Sequence, residues 1–102
     1  MRIIAKRTLR EFWEAHLDAE HALLDWHDLV AEKDWSNPNE VKETWRNASI
    51  IESNRVIFNI KGNDYRLITE IDFVHKFVFI IWIGSHSDYD RIDAKKIEFK
   101  RK

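Results

Sequence analysis

Apolar residues recur every three or four positions through the first half of the chain and crowd into short runs through the second. Leu9, Phe12, Trp13 and His16 fall on one stripe at helical spacing. Leu23, Trp26 and Val30, with Leu29 beside them, form another that runs to about Lys33. Thr8-Leu9-Arg10-Glu11 reads as a capping box and predicts a first helix starting at Thr8. Asp18 can cap the second helix, with His21 standing where such a box usually has Glu or Gln. Ser36-Asn37-Pro38 opens a third and shorter one. Pro38 suits the first helical position, Glu40 falls in the first turn, and Val41 and Trp45 lie one turn apart.

Residues 55–61, 64–73 and 77–83 are rich in Val, Ile, Phe, Tyr and Trp and read as strands. Gly62-Asn63 and Val74-His75-Lys76 between them read as tight hairpin turns. Residues 77–83 are continuously apolar, as expected of a central strand covered on both faces. Ile3-Ile4 and Ile97-Glu98-Phe99 are candidate edge strands. Helices over about residues 6–46, followed by a mainly antiparallel sheet over about 55–83, predict an α+β fold. At 102 residues with two Gly and one Pro, the expectation is a single domain spanning 1–102, built of regular elements and short loops.

The first hairpin carries the sharpest inference. A two-residue turn at Gly62-Asn63 sets Lys61 opposite Asp64, Ile60 opposite Tyr65 and Asn59 opposite Arg66. Alternation then gives Phe58, Ile60, Tyr65 and Leu67 to the core face, and Asn59, Lys61, Asp64 and Arg66 to the other. Lys and Arg beside Asn could cradle a phosphate, the Arg as a planar fork and the Lys as a point charge. The same residues could equally form an ordinary solvated face with an Arg66–Asp64 or Lys61–Asp64 ion pair. After the last strand, residues 84–93 read as a loop or short helical turn capped by Ser85 or Ser87. His86 and Tyr89 lie three apart there, a pairing suited to proton transfer, unless Tyr89 simply packs into the core.

Charge changes this picture. The formal net charge of −1 argues against a generic polyanion binder. Yet residues 1–10 carry four bases and no acid, residues 11–34 eight acids against one base, and residues 95–102 five bases against one acid. Two differently charged surfaces are expected. The chain has no Cys, which excludes disulfide frameworks, thiolate catalysis and thiolate metal sites and fits a reducing cytoplasm. His16, His21 and His27 stand five and six residues apart, not at the spacing of a shared metal face, so no metal or cofactor is expected. No Gly-x-Ser-x-Gly elbow or Gly-rich phosphate loop occurs. The N-terminal residues lack a signal-peptide core, and no run of about 18 apolar residues could span a membrane.

Residues 9–14 (Leu-Arg-Glu-Phe-Trp-Glu), 58–67 (Phe-Asn-Ile-Lys-Gly-Asn-Asp-Tyr-Arg-Leu) and 84–93 (Gly-Ser-His-Ser-Asp-Tyr-Asp-Arg-Ile-Asp) together resemble the HigB-type toxins of bacterial type II toxin–antitoxin systems. The similarity takes in Val41–Trp45 and so runs over nearly the whole chain; Leu17 and Trp45 are unusual in their segments. The resemblance implies a RelE-like fold and a cytoplasmic mRNA interferase that cuts RNA without metal, in many members on the translating ribosome. It also implies silencing by a cognate HigA-type helix-turn-helix antitoxin, with no DNA binding by the toxin alone. Carried over by position, Lys61, Arg66, His86 and Tyr89 are the implied catalytic residues, with Asn59 and Asn63 against the RNA. The competing expectation is a non-catalytic module that docks RNA or protein on the Lys61/Arg66 face.

Overall fold

The computed structural model describes residues 1–52 and 54–98. Along the chain these form β1 (Arg2–Ile4), α1 (Lys6–Ala15), a 3-10 turn (Leu17–Ala19), α2 (Glu20–Glu32) and α3 (Pro38–Thr44). The second half forms β2 (Ser49–Ile50), β3 (Arg55–Ile60), β4 (Tyr65–Asp72), β5 (Phe77–Ser85) and α4 (His86–Tyr89). One sheet collects the strands in the order β1-β5-β4-β3-β2. Only the β1–β5 pairing is parallel, so the α+β layout with a mainly antiparallel sheet is as expected.

Two of the three helix starts differ from the reading of the sequence. α1 begins two residues before Thr8, after Ala5 in a left-handed conformation at φ 77°; the Thr8 amide donates to the Ala5 carbonyl, so no side-chain cap forms. α2 begins at Glu20 with Ala19 at its N-cap and no side-chain cap, because Asp18 is engaged elsewhere. The third start holds. Asn37 Oδ1 accepts from the Glu40 amide at 3.1 Å, the Glu40 carboxylate accepts from the Ser36 amide, and Pro38 opens the helix.

Helical stripes and strand alternation meet in one core. Leu9, Trp13, Leu23, Trp26, Val30 and Val41 bury against Phe58, Ile60, Tyr65 and Leu67 of the sheet. Phe58 lies among three indoles, with ring centroids at 5.3 Å from Trp26, 6.4 Å from Trp35 and 5.9 Å from Trp45. Aromatic pairs of this kind add about 0.5–1.5 kcal/mol each beyond area burial, which fixes β3 on the helices.

The other sheet face is covered as well. Ile57, Ile68 and Ile81 form a smaller cluster, against which Tyr89, Ile92, Ala94 and Ile97 pack. The buried Arg55 clasps that segment: its Nη1 donates to the carbonyls of Ala94 at 3.0 Å and Ile97 at 2.6 Å, and its Nη2 to Glu70 at 3.1 Å. The expected edge strand at 97–99 is therefore absent at residues 97 and 98, whose stretch is held by a side chain in place of a ladder; Phe99 and the bases at 100–102 lie outside the described residues. Ile3-Ile4 does form an edge strand, as β1. No helix among the described residues is long and apolar enough to cross a membrane.

Candidate active site

The β3–β4 turn and α4 come together at one end of the sheet. Asn59 pairs with Arg66, and Arg66 with Gly84, so the three form one cross-strand row on the face away from α1–α3. The Arg66 guanidinium is held from behind. Its Nη1 donates to the Asn63 carbonyl at 3.0 Å and the Tyr65 carbonyl at 3.3 Å, and its Nη2 to Asn63 Oδ1 at 3.0 Å. Asn59 Nδ2 donates to the same Asn63 oxygen at 3.3 Å. Three of five N–H groups are thereby used, leaving two for a ligand.

Tyr89 backs this fork, its ring centroid 5.9 Å from Arg66 Cζ and 6.2 Å from the Trp82 ring. Burial pushes the Tyr89 phenol above its ordinary pKa. Gly84 leaves room for the indole: a Cβ there would stand 2.4 Å from the far edge of the Trp82 ring. Ser85 caps α4, accepting from the Asp88 amide at 3.1 Å. The His86 amide donates to the Asp64 carbonyl at 3.0 Å, tying the helix to the hairpin turn. Its exposed imidazole has Nδ1 at 3.3 Å from Asp90 Oδ2, which orients the ring and leaves Nε2 facing outward from that pair. Asp90 gave no sign in the sequence beyond its place four residues after His86.

Lys61 is not on the Arg66 face. The strand ends at Ile60, and Lys61 and Gly62 take left-handed conformations at φ 52° and 63°, so the alternation of β3 stops one residue too early. The ammonium turns to the helical side, where it meets Asp18 at 3.1 Å and Asp64 at 3.6 Å. Asp18 also accepts from the buried Tyr65 hydroxyl at 2.5 Å. Both contacts hold the Asp18 carboxyl below its ordinary pKa, the tyrosine bond being the larger cause. Asp18 in turn raises the Lys61 ammonium, and the hydrogen bond to Asp18 pushes the Tyr65 phenol up to about 12. An open cavity of about 440 Å3, lined by Asp18, Asn63, Asp64, Tyr65, Ser85 and His86 among others, joins this wing to the histidine. Thus Asn59, Asn63, Arg66 and Tyr89 form one network, His86 lies across the turn from it, and Lys61 belongs to a separate ion pair. Among the described residues no three His, Cys, Asp or Glu come together as a metal-ligand set.

Both tyrosines of the chain are thereby shifted upward. The Tyr65–Asp18 bond should contribute its full stability between the ordinary carboxylate pKa of 3.8 and the ordinary phenol pKa of 10, losing it as pH rises through about 12 and as pH falls through the lowered pKa of Asp18. Spectrophotometric titration of the folded protein should show less tyrosinate at pH 10 than two unperturbed phenols, each half ionised there, would give. Half-ionisation of either residue at that pH contradicts the geometry.

A model of the HigB toxin family, described as the RelE-like toxic component of a toxin-antitoxin system, matches residues 19–92. The chain belongs to that family. The mRNA interferase HigB of Escherichia coli O6:H1 (strain CFT073) is 28% identical over 94 residues, which cover 90% of this chain and 91% of that protein. The family match takes in the whole β3–β4 hairpin and α4 of the toxin, whereas Asp18 stands one residue outside it.

Proposed function

We propose that this toxin is a metal-independent endoribonuclease that cleaves mRNA on the translating ribosome in the cytoplasm, stops translation, and is silenced by a HigA-type helix-turn-helix antitoxin. The similarity to an mRNA interferase supports the substrate. The observation that carries the chemistry is the Arg66 fork, pinned by Asn63, backed by Tyr89 and set beside an outward-facing His86.

RNA brings its own nucleophile. The 2′-hydroxyl attacks the adjacent phosphorus, its proton leaves to a base, and the departing 5′-oxygen takes a proton, giving a 2′,3′-cyclic phosphate and a 5′-hydroxyl. The protein's task is to orient the ribose and phosphate, move protons and hold the charge that grows on the non-bridging oxygens. The free N–H groups of Arg66 face that charge. His86, oriented by Asp90, serves proton transfer, with Tyr89, beside Arg66, as the second candidate for that role. Asn59 and Asn63 fix the fork and offer amides to the RNA. Lys61 supplies a second cation once the phosphate displaces its carboxylate partner.

Purified protein incubated with mRNA, with and without ribosomes, tests this reading. Cleavage should persist in chelator, depend on ribosomes, and leave cyclic or 3′-phosphate ends. Ends bearing 3′-hydroxyls would overturn the mechanism. RNA bound but never cut, even on ribosomes, would instead favour a docking module.

A further inference from the structure

We infer that Tyr65 and Lys61 form an oxyanion site that Asp18 fills in the free toxin and that a phosphate of the RNA backbone takes over on binding. This rests on the ribonuclease reading above. Two donors converge on the two oxygens of one carboxylate: the Tyr65 hydroxyl on Oδ1 at 2.5 Å and the Lys61 ammonium on Oδ2 at 3.1 Å. A phosphodiester presents the same motif, two oxygens sharing one negative charge.

One donor is anchored in the core, and the acceptor stands on an exposed turn. Tyr65 is buried, its ring edge-on to Phe12 at 5.4 Å and to His16 at 6.0 Å. The left-handed turn at Lys61 sends its flexible stem to the same side, within reach of the carboxylate. Asp18 sits in a single 3-10 turn between α1 and α2 with its side chain 52% exposed. The cavity beside it opens toward His86, so an incoming strand reaches the donors from the catalytic side. Tyr65 has a single O–H, now given to Asp18, so a phosphate oxygen can take it only by displacing the carboxylate; binding there is an exchange. Asp64, at 3.6 Å from the ammonium, is the weaker competitor and makes no bond to Tyr65. This arrangement also bears on how a chain of net charge −1 binds a polyanion: a local cation is masked until RNA displaces its partner.

The test uses a short RNA carrying 2′-O-methyl groups, which lacks the nucleophile and cannot be cut, with affinity read by fluorescence anisotropy across a salt series. Asp18→Asn keeps an acceptor for Tyr65 but removes the charge. It should bind about two- to fivefold tighter at low salt, the size expected on releasing one exposed ion pair. The slope of log affinity against log salt should steepen by up to about 0.7, because no freed Asp18 carboxylate is left to take up a cation when the phosphate reaches Lys61. Lys61→Gln should cancel both changes in the Asp18→Asn background and cost much less in the unaltered protein. Asp18→Ser serves as a second variant if Asn disturbs folding, as judged by circular dichroism. Unchanged or weaker binding with an unchanged slope would make Asp18 a positioning residue and end the exchange. Wild-type cleavage of natural mRNA, measured in parallel, separates the two readings: a wild type that cuts while Asp18→Asn binds no better refutes the exchange alone. A wild type that neither binds nor cuts refutes both.

Discussion

Arg66→Lys is expected to lower the single-turnover cleavage rate about a hundredfold at saturating RNA, while leaving affinity for RNA nearly unchanged. A lysine keeps the charge that attracts phosphate, so binding should survive. It cannot reproduce the fork. Arg66 spends three N–H groups on Asn63 and the Tyr65 carbonyl and so aims the remaining two along a fixed direction. Lys offers one flexible ammonium in place of that plane. Loss of one donor to the charge of the transition state costs about 3 kcal/mol, which is roughly two decades in rate. Folding should be little affected, because Arg66 is half-buried on the face away from the main core, opposite Asn59 and beside Gly84. Rapid-quench cleavage under single-turnover conditions is the measurement. A normal rate at saturation would reduce Arg66 to a binding residue.

The second large effect is expected at a residue far from the RNA. Arg55→Met should destabilise the protein by about 2–4 kcal/mol, since hydrogen bonds from a buried charge are each worth about 1.5–3 kcal/mol. Methionine can fill the space of the arginine stem but leaves the carbonyls of Ala94 and Ile97 without their donor. The segment that carries Ile92, Ala94 and Ile97 loses its clasp on Ile57, Ile68 and Ile81, and Tyr89 packs on that same cluster. Activity should therefore fall together with stability. Urea unfolding and cleavage assayed on one preparation check this, and an unchanged unfolding midpoint would show that the apolar contacts hold the segment alone.

The elements were legible in the sequence wherever a rule depends only on near neighbours. Pro38 after Asn37, the pairing of Asn59 with Arg66, and the apolar run 77–83 within β5 all follow from local spacing, and each stands where that spacing puts it. The failures come from a distant partner or from a left-handed residue that overrides the local rule. Asp18 has the chemistry of a helix cap, but a tyrosine 47 residues away competes for it and wins. Lys61 continues the alternation of β3 on paper, yet its positive φ ends the strand and swings the ammonium to the opposite side. Thr8 looks like the first residue of a capping box because nothing in its neighbourhood betrays that Ala5 adopts a left-handed conformation. Arg55 gave no sign at all, since its partners are mostly backbone carbonyls, which every sequence possesses.

The way the strands are ordered in the sheet also bears on how the molecule assembles. β3, β4 and β5 pair through short turns, so the row Asn59, Arg66, Gly84 closes with little loss of chain entropy. β1 joins the same sheet only by bringing Arg2 to Phe77, across most of the chain. Loop-closure entropy favours the hairpins first and the parallel strand after the helices have collapsed. The half of the molecule that carries the candidate site is thus the half of low contact order, and docking of β1 serves to seal the core behind a framework already in place.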